Sequence, residues 1–264
     1  MKQRIITGVV AAAFFIPFVV YGQLPFTLLV YAMASVAMFE LLRMKKMSVF
    51  SVPSFIGFLT VYVLLMPDDW ANKVQEATSY SKLEFLVIAA LLLLIHSVIV
   101  KNHFTFDEIG FVLLSALYIG IGFYYLIETR HAGLQFIIFA LLIVWCTDSG
   151  AYFTGRRFGK NKLWPEISPN KTIEGFIGGI LTAVVFACIM QMIYPFEKPW
   201  FILVLVTIVS SVFGQMGDLV ESAIKRHYDV KDSGKILPGH GGILDRFDSL
   251  LFVLPLLNLL HFVS

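Results

Sequence analysis

Nine apolar segments, each about as long as a membrane-spanning helix, follow one another along this sequence. A helix needs roughly 20 apolar residues to cross a hydrocarbon core of about 30 Å. Only helices and closed barrels satisfy their backbone in lipid, and the period-two alternation of barrel strands is missing from the sequence. We therefore predict an all-α, polytopic integral membrane protein with about nine transmembrane helices. The predicted spans are residues 4–22, 24–42, 50–66, 83–100, 107–127, 133–153, 175–194, 200–221 and 246–263.

The composition agrees with this class, because 58% of the residues are hydrophobic and only 14% are charged, against about 25% charged in soluble domains. The first apolar run is long for a signal peptide, so we expect it to be retained as a span. Cys146 and Cys188 show no metal-binding spacing and are interpreted as small buried residues. We predict a single membrane domain, residues 1–264, in which residues 1–130 are mainly scaffold and residues 133–263 carry the functional site.

The distribution of basic residues predicts the orientation. With nine spans and a cytoplasmic N-terminus, 16 of the 20 basic residues fall on the inner side, and only Lys73, Lys82, Arg130 and Lys198 fall outside. Such an excess is what the positive-inside rule describes. We therefore predict a multi-pass protein of the cytoplasmic (inner) membrane.

Two inner loops, residues 146–175 and 214–249, together hold 10 of the 16 inner basic residues. In the second loop, Asp218, Glu221, Ser222 and Lys225 have offsets that place them on one helix face. A carboxylate at a span end is costly unless it reaches water or a partner. Asp218 therefore either faces a watery cavity or is a helix-end residue that is solvated or paired with Lys225.

The start of the last span adds two carboxylates three residues apart, Asp245 and Asp248. Together with Asp218 they provide hard oxygen ligands of the kind that Mg²⁺ prefers, usually one or two carboxylates plus substrate phosphates. The glycines of the preceding GHGG run allow the backbone to approach a phosphate closely. Three basic residues accompany the carboxylates and could neutralise phosphate charge, namely Lys225, Arg226 and Arg246.

The segment from Ser222 to Asp248, SAIKRHYDVKDSGKILPGHGGILDRFD, closely resembles the signature of the phosphatidate cytidylyltransferases, also called CDP-diacylglycerol synthases. The element SPNKTIEG, at Ser168–Gly175, resembles a second polar loop of that family. The resemblance implies transfer of the cytidylyl group of CTP to phosphatidate, which gives CDP-diacylglycerol and pyrophosphate. It also implies Mg²⁺, a second, monovalent cation, membrane lipid as a partner and a homodimer. No nucleic-acid partner is expected.

On this resemblance, each polar residue receives an expected role. Asp218, Asp245 and Asp248 are expected to bind the metal. Lys225, Arg226 and Arg246 are expected to be catalytic, because they would orient two polyanions that repel each other. The expected substrate-binding residues are Ser222, Lys231, Asp232, His240, Gly241, Asp148 and Lys171.

Three of these roles have open alternatives. His240 either contacts a phosphate or braces the glycine turn, and Asp148 either contacts nucleotide or metal or pairs with Arg156. Lys171 and Glu174 either pair with one another or serve the substrate. The active site is expected to face the cytoplasm, where CTP is found.

Three other functions are weighed against this one. A CTP-dependent polyprenol kinase is similarly hydrophobic, but the full signature argues against it. A CDP-alcohol phosphotransferase would carry a D-G-x-x-A-R element, which the sequence lacks. A transporter would have acidic residues near the middle of several spans, and here only Glu40 approaches such a position.

Overall fold

Helices make up most of the protein. A computed structural model describes residues 2–263, with the side chains of residues 2, 4 and 5 outside the description. The prediction of an all-α fold is confirmed, since the only strands in this part of the chain form one small hairpin. The elements are α1 (Lys2–Tyr21), α2 (Gln23–Met44), α3 (Val52–Leu64), α4 (Asp68–Thr78), α5 (Lys82–Ile99), α6 (Phe106–Ala132), α7 (Leu134–Phe158), β1 (Lys162–Trp164), β2 (Ser168–Thr172), α8 (Ile173–Ile193), α9 (Trp200–His227), α10 (Leu244–Phe247) and α11 (Leu250–Leu259).

Each of the nine predicted spans coincides with a helix or helix pair. Among the described residues, six helices are long and apolar enough to cross a membrane: α2, α5, α6, α7, α8 and α9. The α3–α4 pair, bent by 112°, would make a seventh, whereas the apolar part of α1 and all of α11 are shorter. The total of nine spans and the orientation stay predictions.

The surfaces of these helices are typical of a protein surrounded by lipid. In α5, Leu83, Val98 and Ile99 are 67%, 75% and 70% exposed. Apolar surface of this extent is normally covered by a membrane or by another protein. Helix ends, by contrast, are closed by polar groups: Ser81 and Glu84 form a reciprocal capping box at the start of α5.

The chain divides into two compact units. The first unit contains the helices up to Glu128 together with the segment Asp232–Leu244. The second unit contains Thr129–Lys231 and the residues from Asp245 onward. The predicted assignment of a single domain, with a scaffold in residues 1–130, stays a prediction.

The first unit packs around large side chains of α2 and α6, with Phe26, Leu41 and Phe123 almost fully buried. Small residues allow its helices to approach closely. A Cβ added at Gly120 would lie 2.8 Å from the Cβ of Leu64, so a larger residue there would separate α6 from α3.

The second unit is built on the close pairing of α7 and α8. A Cβ at Gly179 would lie 2.7 Å from the carbonyl oxygen of Thr147, and one at Gly175 would lie 2.8 Å from that of Ala151. Phe139 of α7 forms an aromatic cluster with Phe196, which follows α8, and Phe262, which follows α11, with ring centroids 4.9–5.3 Å apart. This packing fixes Asp148, which follows Thr147, opposite the start of α8.

Candidate active site

A cavity of about 490 Å³ with several charged and polar side chains in its lining lies in the second unit. Its walls come from the last turns of α7, the β1–β2 hairpin, the first turn of α8 and the middle of α9. The polar side chains in its lining are those of Asp148, Tyr152, Arg156, Asn170, Lys171, Thr172, Gln215 and Asp218. The cavity is therefore lined by residues from both inner loops, 146–175 and 214–249, which are far apart in the sequence.

Lys171 and Asp218, which both line this cavity, form an ion pair. Lys171 Nζ lies 2.5 Å from Asp218 Oδ2, and both side chains are partly exposed. The same ammonium group lies 3.5 Å from the carbonyl oxygen of Gln215. Asp218 thus faces the cavity, as predicted, and the alternative of a pair with Lys225 is wrong.

The hairpin that carries Lys171 is closed by Glu174. Its carboxylate accepts hydrogen bonds from the backbone N–H groups of Lys160 and Asn161 and, at 2.8 Å, from the amide of the Asn161 side chain. Thr172 caps α8 by accepting from the N–H of Gly175. The alternative in which Lys171 pairs with Glu174 is therefore wrong, and Lys171 is left to point into the cavity.

Asp148 belongs to the same electrostatic group. It interacts with the charges of Asp218, Lys171 and Arg246. Arg156, its alternative partner, donates instead to the Tyr152 hydroxyl at 3.3 Å. Asp148 is exposed to the cavity, so its carboxylate is available to a ligand or a metal.

A second cluster, about two turns further along α9, surrounds Lys225. Its ammonium group lies 2.7 Å from Asp245 Oδ1 and also pairs with Glu221, whose side chain is 1% exposed. Ser222 lies beside these residues and makes a long, 3.5 Å hydrogen bond to Asp218 Oδ1. Lys225 therefore neutralises two protein carboxylates, whereas the sequence predicted that it contacts substrate.

Asp248 lies in the turn between α10 and α11, near the start of the last predicted span. Its Oδ1 accepts a hydrogen bond from the N–H of Ser249 at 2.7 Å. Asp248 is largely buried, and the charges of Asp218 and Asp148 act on its carboxylate. A cation held among these three carboxylates would relieve their repulsion and favour the ionised form of Asp248.

The carboxylates meet the requirement of Mg²⁺ for oxygen ligands only in part. No group of three or more His, Cys, Asp or Glu side chains among residues 2–263 is arranged to hold a metal by itself. Mg²⁺ commonly takes one or two carboxylates and completes its shell with water and substrate phosphate. Binding of Mg²⁺ by these carboxylates together with a phosphate substrate therefore stays a prediction.

The other predicted cations lie at the surface. Arg246 and Lys231 are exposed, and Arg226 is exposed with its Nε 3.4 Å from the carbonyl oxygen of Ile167, next to the hairpin. Arg246 interacts with the charge of Asp148. These side chains have the reach and the charge to contact a polyanion.

Asp232, His240 and Gly241 belong to the first unit and are described within it. Asp232 is exposed, and Gly241 adopts a positive φ of 86° that favours glycine. The His240 N–H donates to the carbonyl oxygen of Leu237 at 2.8 Å, which closes the glycine turn. The two open roles of His240 both stay predictions.

Sequence reasoning left Glu221, Gln215 and Asn170 outside the predicted site. Glu221 lies four residues before Lys225, a spacing at which opposite charges pair on a helix, so a signal for it was present. Gln215 is a buried amide in an apolar helix that donates to the carbonyl oxygen of Phe176 at 3.2 Å. Asn170 gave no signal of its own, because its place in the cavity depends on the shape of the hairpin.

Comparison with known proteins places these residues in one family. The profile of the Cytidylyltransferase family matches residues 2–264. A phosphatidate cytidylyltransferase of Bacillus subtilis is 58% identical over 263 residues, which cover 98% of this chain and 97% of that protein. Proteins of the same name from Staphylococcus epidermidis and Staphylococcus aureus are 50% and 46% identical, over 98% of both chains in each case. With its polar cavity and both polar loops inside the matched region, the chain belongs to the cytidylyltransferase family.

Proposed function

We propose that this protein transfers the cytidylyl group of CTP to phosphatidate, which forms CDP-diacylglycerol and releases pyrophosphate. The observation that carries the proposal is the similarity, over nearly the whole chain, to proteins named phosphatidate cytidylyltransferase. The cavity around Lys171 and Asp218 supports it, because it combines cations and carboxylates in the way that phosphate chemistry needs. The product is a phospholipid precursor, and the helices supply the membrane location that a lipid substrate requires.

The reaction needs little acid–base chemistry from the protein. A phosphate oxygen of phosphatidate attacks the α-phosphorus of CTP, and the bond from that phosphorus to the bridging oxygen of the β-phosphate breaks. Pyrophosphate leaves with the electron pair. A phosphate monoester with a second pKa near 6 is already largely a dianion at neutral pH, so no general base is required. Catalysis then depends on positioning and charge stabilisation.

Within the second unit, the side chains divide this work by their charge. Lys171 and Arg156 line the cavity and would bind triphosphate oxygens. Arg226 and Arg246 are exposed and would hold the lipid phosphate against its repulsion by CTP. Lys225 is held by Asp245 and Glu221, so its role is to fix the Asp245 carboxylate.

Asp218, Asp245 and Asp248 would hold Mg²⁺, with Asp148 beside them. When bound, Mg²⁺ supplies positive charge that neutralises triphosphate oxygens and polarises the α-phosphoryl group. The donor oxygens and the repulsion at Asp248 support this assignment. The second, monovalent cation and the homodimer remain family expectations.

The location is proposed as the plasma membrane, with the site open to the cytoplasm. The excess of basic residues in the two polar loops supports this orientation. CTP is made in the cytoplasm and phosphatidate lies in the bilayer, so an inner-face site gives both substrates access.

Two labels on CTP test the reaction. Purified protein in detergent is incubated with phosphatidate, Mg²⁺ and CTP labelled at the α- or the γ-phosphate, and lipid-extractable label is counted. We expect the α-label to enter the lipid and the γ-label to appear in pyrophosphate. Transfer of the γ-label to lipid would mean a lipid kinase, and the absence of both would refute the transferase. Diacylglycerol in place of phosphatidate serves as a control that should accept no label.

A further inference from the structure

A buried glutamate in the second helix holds the segment Asp232–Leu244 of the first unit, which we call the glycine loop. Glu40, in α2, is only 2% exposed. Its Oε1 accepts a hydrogen bond from the N–H of Ile243, and its Oε2 accepts one from the N–H of Leu244, both at 3.0 Å. A buried carboxylate is costly unless donors surround it, so Glu40 and the loop stabilise each other.

The same carboxylate also binds the other side of the loop. The Ser233 hydroxyl donates to Glu40 Oε2 at 3.0 Å. Gly234 and Gly242 both lie so close to the Glu40 carboxylate that a Cβ at either position would collide with it. The backbone before the turn and the backbone after it therefore both converge on Glu40.

Between these two contacts the chain forms a compact turn. The N–H of Leu237 donates to the carbonyl oxygen of Gly241 at 3.0 Å, and Gly239 and Gly241 have φ values of 78° and 86°. Pro238 and Gly239 are exposed at its tip. His240 lies in this turn. The contacts of Glu40 are with the residues on either side of the turn, and not with Pro238 and Gly239 at its tip.

We propose that Glu40 is a positioning residue of the enzyme, which holds the turn from Leu237 to Gly241 in the conformation that receives substrate phosphate. The inference rests on the proposed function. It gives the N-terminal half of the chain a positioning role in the reaction, beyond that of a scaffold. Glu40 acts through the loop and touches no substrate itself.

The test is a double-mutant cycle between Glu40→Gln and His240→Ala. Gln keeps the size of the side chain, but its NH₂ group faces backbone donors where an oxygen had accepted, so the loop loses part of its anchor. We expect kcat/KM to fall about 10-fold or more on Glu40→Gln alone, and less than about 3-fold in the His240→Ala background, since residues that act as a unit are not additive. Equal losses in the two backgrounds would refute the inference.

A matched control separates positioning from general stability. Thr60 is a buried polar residue of α3, whose hydroxyl donates to the carbonyl oxygen of Ile56 at 2.8 Å, away from the loop. Thr60→Ala should lower Tm while kcat/KM, measured well below Tm, stays within about 2-fold, as for distant sites that do not couple. If Glu40→Gln behaves in the same way, Glu40 is only structural.

Milder variants cover the case in which Glu40→Gln fails to fold. Ser233→Ala removes one hydrogen bond from the carboxylate and should reduce kcat/KM in the same direction by a smaller factor. Glu40→Asp keeps the charge and should recover part of the lost activity. Full activity of Ser233→Ala, together with no recovery of activity in Glu40→Asp, would contradict the positioning role of Glu40.

Amide hydrogen exchange tests whether Glu40 holds the glycine loop, and it needs no activity measurement. The amides of Ile243 and Leu244 should exchange faster in Glu40→Gln, or in Ser233→Ala, than in the wild type, whereas Thr60→Ala should leave them protected. Unchanged exchange in the Glu40 and Ser233 variants would show that Glu40 does not hold the glycine loop. If the wild type transfers no α-label to lipid, the proposed function has failed, and the exchange result still decides the role of Glu40 in the loop.

Discussion

Lys225 and Asp245, 20 residues apart in the sequence, are joined by a 2.7 Å hydrogen bond between Nζ and Oδ1. Glu221 pairs with the same ammonium group, and the Asp245 and Glu221 side chains are 5% and 1% exposed. The lysine thus balances two buried carboxylates. Replacing Lys225 should therefore destabilise the folded protein directly and affect the substrate only indirectly.

Lys225→Met is therefore expected to affect both stability and activity. Removing one partner of a buried ion pair typically costs about 3–5 kcal/mol, so Tm in detergent should fall clearly. Cytidylyl transfer should fall at least about 100-fold, because Asp245 loses the group that orients it. Lys73→Met, at an exposed position in α4, should change neither quantity.

Adding Glu221→Gln to Lys225→Met should recover much of the lost Tm, since one of the two unpaired carboxylates is then neutral. Activity should stay low in the double variant. Recovery of activity together with stability would mean that Lys225 has no part in the reaction beyond folding.

Asp248→Asn is expected to lower activity without lowering stability. The carboxylate is buried beside Asp218 and Asp148, so without metal the Asn variant should be at least as stable as the wild type. Mg²⁺ should raise the Tm of the wild type, because a ligand that binds only the folded state stabilises it, and should raise that of the variant much less. Transfer activity should drop by at least about 100-fold.

The matched control is Asp229→Asn. Asp229 is exposed and has a φ of 54° in the turn after α9, a conformation that Asn adopts readily. This variant should retain both its activity and its response to Mg²⁺. An equal Mg²⁺ response in the Asp248 variant would contradict a metal role for that residue.

Gly179→Ala should destabilise the pairing of α7 and α8. The added Cβ would lie 2.7 Å from the carbonyl oxygen of Thr147, a backbone atom that cannot rotate away. Overpacking of this kind costs about 1–3 kcal/mol, and the displacement should reach Asp148 and reduce activity. The measurement is Tm together with kcat/KM.

Gly110→Ala provides the comparison, because nothing lies within 4 Å of the added Cβ in α6. Alanine is a better helix former than glycine by about 1 kcal/mol, so Tm should rise slightly or stay unchanged. A fall in Tm as large as that of Gly179→Ala would show that contact with Thr147 is not the cause.

The fold could be predicted because each apolar segment satisfies its own backbone as a helix, so length and hydropathy alone locate it. The helix α4 was missed, since it is polar and has no buried residue. The β1–β2 hairpin was also missed, because it depends on Glu174 binding the backbone of Lys160 and Asn161 across the loop. Contacts between distant residues leave no local pattern in the sequence.

The same distinction applies to the candidate site. Helical spacing correctly placed Ser222 near Asp218, and the resemblance selected Asp245 and Asp248. Spacing could not decide which cation pairs with which carboxylate, since that depends on how β2 and α10 pack against α9. Lys171 therefore proved to be the partner of Asp218, and Lys225 that of Asp245.

The proposed orientation predicts which side of the membrane each loop faces. Lys235, in the glycine loop, and Lys73, in α4, are both exposed, so a cysteine at either position can be labelled. In a background with Cys146→Ala and Cys188→Ala, Lys235→Cys should react with an impermeant maleimide only in inside-out vesicles, and Lys73→Cys only in right-side-out vesicles. Permeabilised vesicles should give full labelling of both and so control for reactivity. The reverse pattern would place the glycine loop outside the cell, away from CTP, and labelling of both from one side would mean that the number of spans between them is even.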